Sequence, residues 1–281
     1  MKIGTLADWF GAGLIEGIKE SGRCGAEGVQ IYAAGEFDPK TVTREKIGEV
    51  KKTARECGQR VAALCGELGG FGLECREDNA AKIDYLRKVF DLGLALDCHV
   101  VTTHIGVVPS DKNNPRYAVM KEACAEIGEY AARSGGYLAI ETGPEPIPVL
   151  KAFVEDCGQG IAINYDPANL VMATGVDEVQ GVYAAGKSIV HTHAKDGLCL
   201  QRIDPEKFYQ MFAAGGLEWA QAAAYTKETP LGQGAVRWGE YLTALKEIGY
   251  DGFLTIEREV TNGAEDIRMA VRFLTDMLKK I

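Results

Sequence analysis

Eight short runs rich in Val, Ile, Leu and Ala recur along the chain, beginning at Lys2, Gly28, Arg60, His99, Tyr137, Ile161, Ile189 and Phe253. Between them lie longer segments of helical period, the pattern expected of βα units around a parallel sheet. Eight such units close a ring, so the expected fold is α/β: a (β/α)8 TIM barrel forming a single domain over residues 1–281. The length of 281 residues is within the range one such barrel covers.

The helical segments place apolar residues at three- and four-residue intervals over 43–57, 79–96, 116–134 and 264–281, and shorter helices fit 147–157 and 237–248. Gly58 and Gly135 suit helix C-caps. The seventh unit breaks the rhythm, with about forty residues between His193 and the helix near Trp238. This stretch, Gly197 to Val236, holds an expected helix at 205–213, an Ala-rich stretch and PLGQG at 230–234. An insertion of that length after a catalytic-end strand is expected to cover a site.

Four of the strand-like runs end in a residue that binds metal ions: AIE at Glu141, INYD at Asp166, VHTH at His193 and TIE at Glu257. A carboxylate or imidazole at the end of a buried strand is costly to desolvate unless it is paired, hydrogen-bonded or metal-bound, and one shared divalent cation explains all four. The alternative is a set of buried ion pairs that staples the barrel. In a parallel barrel, functional groups collect at the C-terminal strand ends. Glu141 and Glu257, on strands five and eight, stand three steps apart in the ring, or roughly 135°. Two carboxylates on facing walls can remove and return a proton on a substrate that chelates the ion. Three carboxylates and one imidazole suit Mn²⁺, Mg²⁺ or Co²⁺ better than a closed zinc site.

His191, His193 and Lys195 alternate in HTHAK and share a side, so His191 and Lys195 are candidates for substrate contact. His104 closes the fourth strand, Glu67 closes the third, and Glu145 follows Glu141 in the same loop, which makes each of them a further candidate. Against each stands a plain structural role as a hydrogen-bonded or ion-paired strand-end residue. His99 begins its strand, at the face associated with stability, and is expected to be structural. PLGQG offers backbone amides to an anion or forms a tight turn, and Arg202, Arg237 and Arg258 are other possible anion partners.

Composition narrows the partners. With 46% hydrophobic and 25% charged residues the chain is not mainly disordered, and a net charge of -9 without a basic cluster argues against nucleic acid. The start MKIGTLADWF lacks a signal-peptide core and no run approaches membrane-spanning length, so neither a membrane nor secretion is expected and the default compartment is the cytoplasm. Eight cysteines without a CxxC pair are expected to be reduced thiols.

The motifs AIETGPE (139–145), NYDPANL (164–170), HTHAKDG (191–197), the GxG of PLGQG and TIERE (255–259) resemble those of the xylose isomerase-like barrel family, which holds sugar isomerases, ketose 3-epimerases and inosose dehydratases. The resemblance spans essentially the whole chain. It implies that Glu141, Asp166, His193 and Glu257 bind one divalent metal and that Glu141 and Glu257 form the acid/base pair. The chain departs from the ketose 3-epimerases at Asn169, where they carry His, and at Lys195-Asp196, where they carry Asn-Arg. Both departures alter substrate contacts, and Asn169 joins the substrate-binding candidates. The expected activity is a metal-dependent sugar or sugar-phosphate isomerase or epimerase working through an enediolate, with a small-molecule carbohydrate as partner and self-association left open. The alternatives are a dehydratase or lyase on an inosose or oxidised glycoside and, more remotely, an abasic-site endonuclease or a non-catalytic sugar-binding barrel.

Overall fold

The computed structural model describes residues 1–215, 221, 224–259 and 263–281. Eight parallel strands close a barrel: β1 (Lys2–Leu6), β2 (Gly28–Tyr32), β3 (Arg60–Cys65), β4 (Val100–Thr103), β5 (Tyr137–Glu141), β6 (Ile161–Tyr165), β7 (Ile189–Ala194) and β10 (Phe253–Ile256). The ring is sealed by β1 pairing with β10, from Lys2 opposite Phe253 to Thr5 opposite Ile256. Seven strands begin where the apolar runs begin, and the fourth begins one residue later, at Val100. His99 stays outside it, its Nδ1 lying 3.1 Å from the Ser134 carbonyl at the strand-start face.

The expected helices form at Arg44–Glu56, Arg76–Ala95, Pro115–Arg133, Ile147–Cys157, Trp238–Glu247 and Ala264–Leu278. Asn114 caps its helix by accepting from Arg116 N–H at 3.0 Å, with Pro115 in the first turn, where its missing N–H costs nothing. The last helix has no side-chain cap and is held instead by its apolar face, Ile267, Ala270, Val271 and Leu274. A buried Leu or Ile contributes roughly 1.5–3 kcal/mol against about 1 kcal/mol for a cap, so packing decides. Gly58 and Gly135 end their helices at φ of 71° and 68°, as a left-handed C-cap requires.

Two helices of eight or more residues were not delimited from the sequence, Leu14–Arg23 and Glu178–Ala185, and a short one at Pro167–Asn169 follows Asp166. The first carries Gly17 because its Cα lies against the Ala7 carbonyl, where a Cβ would sit 2.2 Å from the oxygen. Close packing thus overrides the weak helix propensity of glycine.

After β7 the chain forms an antiparallel pair, β8 (Asp196–Cys199) with β9 (Thr226–Thr229), that stands outside the barrel. A helix at Pro205–Ala214 lies between them, with Asp204 capping Lys207 N–H at 3.0 Å. The Ala-rich stretch expected here lies partly outside the described residues. No helix among the described residues is long and apolar enough to cross a membrane. All eight cysteines carry free thiols.

Candidate metal centre

Strand ends bring Glu141, Asp166, His193 and Glu257 together, with one ligand atom from each lying within 4.8 Å of the others. All four are buried. Glu141 is the last residue of β5, Asp166 and Glu257 directly follow β6 and β10, and His193 sits one residue before the end of β7. His193 Nδ1 faces three carboxylate oxygens, at 3.4 Å from Glu141, 3.8 Å from Asp166 and 3.2 Å from Glu257.

Local bonds hold these four candidate ligands in place. Asp166 Oδ1 accepts from Ala168 N–H at 2.7 Å and Asn169 N–H at 3.2 Å, while the Thr142 hydroxyl clamps the Asp166 backbone to the end of β5. Glu141 accepts from Asn164 at 3.1 Å and from Asn169 at 2.9 Å. Its Oε1 is also 3.5 Å from His104 Nε2, and the other nitrogen of that ring is 2.9 Å from Glu67. On the facing wall the Lys195 ammonium donates to Glu257 at 2.9 Å and stands 3.8 Å from Glu259.

The fit to a cation rests on two orphaned atoms: Asp166 Oδ2 and His193 Nδ1 are buried, lie 3.8 Å apart, and have no hydrogen-bond partner. Unpaired buried polar atoms are rare, and here they are two members of a four-atom donor set of one nitrogen and three oxygens. Such a set fits a divalent ion. The electrostatics agree. Burial pushes Asp166 up to about 7, with Glu141 and Glu257 adding to the rise against the pull of Lys195. Burial works against the charge on Glu257, but His193 and Lys195 hold it down at about 2. Burial opposes the charge on His193 too, and Glu257 and Glu141 nevertheless raise it.

Above the ligands opens a cavity of about 550 Å³. Glu67, His104, Glu141, Asn169, Lys195 and Glu257 line it, as do Met172, Phe208, Tyr209 and Phe212 on the roof. The Gly197–Val236 segment therefore does cover the site, through the Pro205–Ala214 helix and through Thr226 and Glu228. His191 and Glu145 are not among the lining residues. His191 lies two residues deeper along β7, fully buried, where burial pushes its pKa down to about 3 and keeps the ring neutral. Glu145 is buried, and its Oε2 has no partner.

PLGQG turns out to cradle an anion that belongs to the chain. The Asp196 carboxylate accepts from Gly232 N–H at 2.9 Å, Gly234 N–H at 3.1 Å, Val236 N–H at 3.1 Å and the Trp238 indole at 2.9 Å. No arginine lines the cavity among the described residues. Arg237 is committed to Glu178, Arg258 to Glu228 and Asp266, and Arg202 bonds the Thr174 carbonyl.

Two residues of the site escaped the sequence reading. Gln30 and Asn164 are fully buried inside the barrel and touch the ligand residues. A lone amide within an apolar strand, as in GVQIY, was the available signal.

Among solved structures the chain is similar to a xylose isomerase domain protein from Planctomyces limnophilus, at 27% identity and a TM-score of 0.80, covering 100% of this chain and 97% of that one. It is also similar to a D-psicose 3-epimerase determined in the presence of D-fructose (18% identity, TM-score 0.73, 99% of each chain). A third similar structure is a probable 3-DHS dehydratase from Bacillus anthracis (17%, TM-score 0.77, 98% of this chain and 99% of that one). No curated protein matches. The sequence profile of the xylose isomerase-like TIM barrels matches residues 18–277, and the chain belongs to that family.

Proposed function

We propose that the protein is a divalent-metal-dependent isomerase or epimerase of an unphosphorylated carbohydrate, moving a proton at the carbon next to a carbonyl. The observation that carries this reading is the pair Glu141 and Glu257, which come from strands three steps apart in the ring yet join one candidate ligand cluster and both line the cavity. When bound, the ion supplies Lewis acidity, polarising the carbonyl and orienting adjacent hydroxyl oxygens. Glu141 and Glu257 then take and return the proton on opposite faces of one carbon. The Glu67–His104 pair leads away from Glu141, and Lys195 offsets the charge of Glu257. Both supply donors to substrate hydroxyls.

The charge of the cavity selects against a phosphate. Glu67, Glu74, Glu228 and Glu259 also line it, Lys195 is enclosed by carboxylates, and the amide cradle at 232–236 is already filled by Asp196. The same field disfavours a nucleic-acid backbone. Lys195 also favours one second reading, a dehydratase, in which its ammonium protonates a departing hydroxyl after the same proton abstraction.

The test is to incubate manganese-loaded protein in deuterated water with ketoses, ketose phosphates and inososes. The expected result is solvent deuterium beside the carbonyl of a free ketose with no loss of water, whereas loss of water transfers the conclusion to the dehydratase. Glu141→Gln and Glu257→Gln, each shown to retain metal, should each lose exchange from one epimer while keeping part of it from the other. Equal, full exchange from both epimers in both variants would show that another group carries the proton.

A further inference from the structure

Gln30 sits in the middle of β2, on the far side of His193 from the carboxylates, and is fully buried. Its Oε1 lies 3.2 Å from His193 Nε2 and 2.9 Å from His191 Nε2, while its own amide N–H donates to Thr102 Oγ1 at 3.0 Å. A neutral imidazole carries one proton, so Nδ1 can offer a lone pair to a cation only when the proton is on Nε2. A buried Nε2–H needs an acceptor. Asn164 Nδ2 is 3.3 Å from Nε2, but an amide nitrogen donates and does not accept, so it cannot take the Nε2 proton in a hydrogen bond. Gln30 Oε1 is therefore the acceptor His193 has among the described residues. Thr102 at one end of the amide and His191 beside its oxygen keep that oxygen turned toward His193.

We infer that Gln30 is the positioning residue of the metal centre: its carbonyl oxygen fixes the His193 tautomer and ring orientation so that Nδ1 faces the ion. The inference rests on the four-residue ligand set of the proposed function, and it adds a requirement from a strand that contributes no ligand. Partners of this kind on ligating imidazoles typically account for about 10–100-fold in metal affinity.

The experiment measures the Mn²⁺ dissociation constant by calorimetry for the parent protein, Asp166→Ala, Gln30→Met and Gln30→Glu. Asp166→Ala tests the ligand set alone. Methionine nearly matches the size of glutamine but has no comparable acceptor, and glutamate keeps the acceptor while Thr102 can turn its hydroxyl to donate. A positioning role predicts that Gln30→Met binds Mn²⁺ about 10–100-fold more weakly, while Gln30→Glu binds as tightly as the parent or more tightly. A role in packing alone predicts the reverse order, because a core accepts methionine and resists a buried charge.

Parent-like affinity in Gln30→Met, or weaker binding by Gln30→Glu than by Gln30→Met, overturns the inference. If Gln30→Met does not fold, Gln30→Glu decides: retained or tighter binding supports the inference, and a loss beyond about 10-fold overturns it. No Mn²⁺ binding by the parent, or undiminished binding by Asp166→Ala, removes the ligand set and the inference with it. Where the parent binds Mn²⁺ and Asp166→Ala does not, the ligand set stands and the Gln30 variants decide the inference alone.

Discussion

Glu145 and Glu257 are each 5% exposed, yet burial leaves the first at about 8 while the second is held at about 2. Partners make the difference. Glu257 has Lys195 and His193 within 3.2 Å, whereas Glu145 Oε2 has no hydrogen-bond partner. The folded pKa of Glu145 lies above its ordinary value of 4.5, so the folded state binds the extra proton. The stability this contributes is fully present below about pH 4.5 and is lost as the pH rises through about 8. Glu145→Gln cannot ionise and should escape that loss. Urea titrations with chelator present should show the variant gaining on the parent between pH 5 and pH 9 by at least about 1 kcal/mol, since one pKa unit corresponds to about 1.4 kcal/mol. A stability difference that does not change with pH would mean that Glu145 titrates in the folded state at its ordinary value.

At the scale of elements, the β8–β9 ribbon depends on Asp196. Four backbone N–H groups, those of Gly197, Gly232, Gly234 and Val236, and the Trp238 indole all converge on this one carboxylate. Gly234 has no room for a side chain, because a Cβ there would lie 2.1 Å from Asp196 Oδ1. Gly234→Ala and Asp196→Asn should therefore each cost roughly 2–3 kcal/mol, the first by displacing the carboxylate and the second by replacing a charged acceptor with an amide. Thermal melts measure both, and unchanged midpoints would show that the cradle contributes little. The GxG spacing was visible in the sequence and allowed either an anion site or a turn. Only the fold brings Asp196 into the cradle, across a separation of 36 to 42 residues.

For the whole molecule, the cover over the cavity packs in an apolar cluster of its own. Phe208 and Ala173 form a small cluster with Ile203, Tyr209, Phe212 and Tyr225, apart from the main core between strands and helices. Replacing 205–214 with a short Gly-Ser linker should thus cost roughly 1.5–3 kcal/mol, the burial of Phe208, and leave the barrel folded. The same change should lower kcat about 10-fold or more by admitting water to the site. Turnover that survives the replacement would show that the helix only roofs the cavity. The eight strands and the four clustered strand-end residues could be read from the sequence because both signals are local: hydrophobic period identifies a strand, and a polar residue at its end marks the site face. The two unexpected helices were not, because Gly17 weakens the first signal and the second runs for only 8 residues. Tertiary structure alone decided that His191 and Glu145 are not among the residues that line the cavity. It also set the 4.8 Å convergence of the ligands and placed Gln30 behind His193. That contact joins residues 163 positions apart, and it exists only because ring closure turns the polar side chains of distant strands into one shared interior.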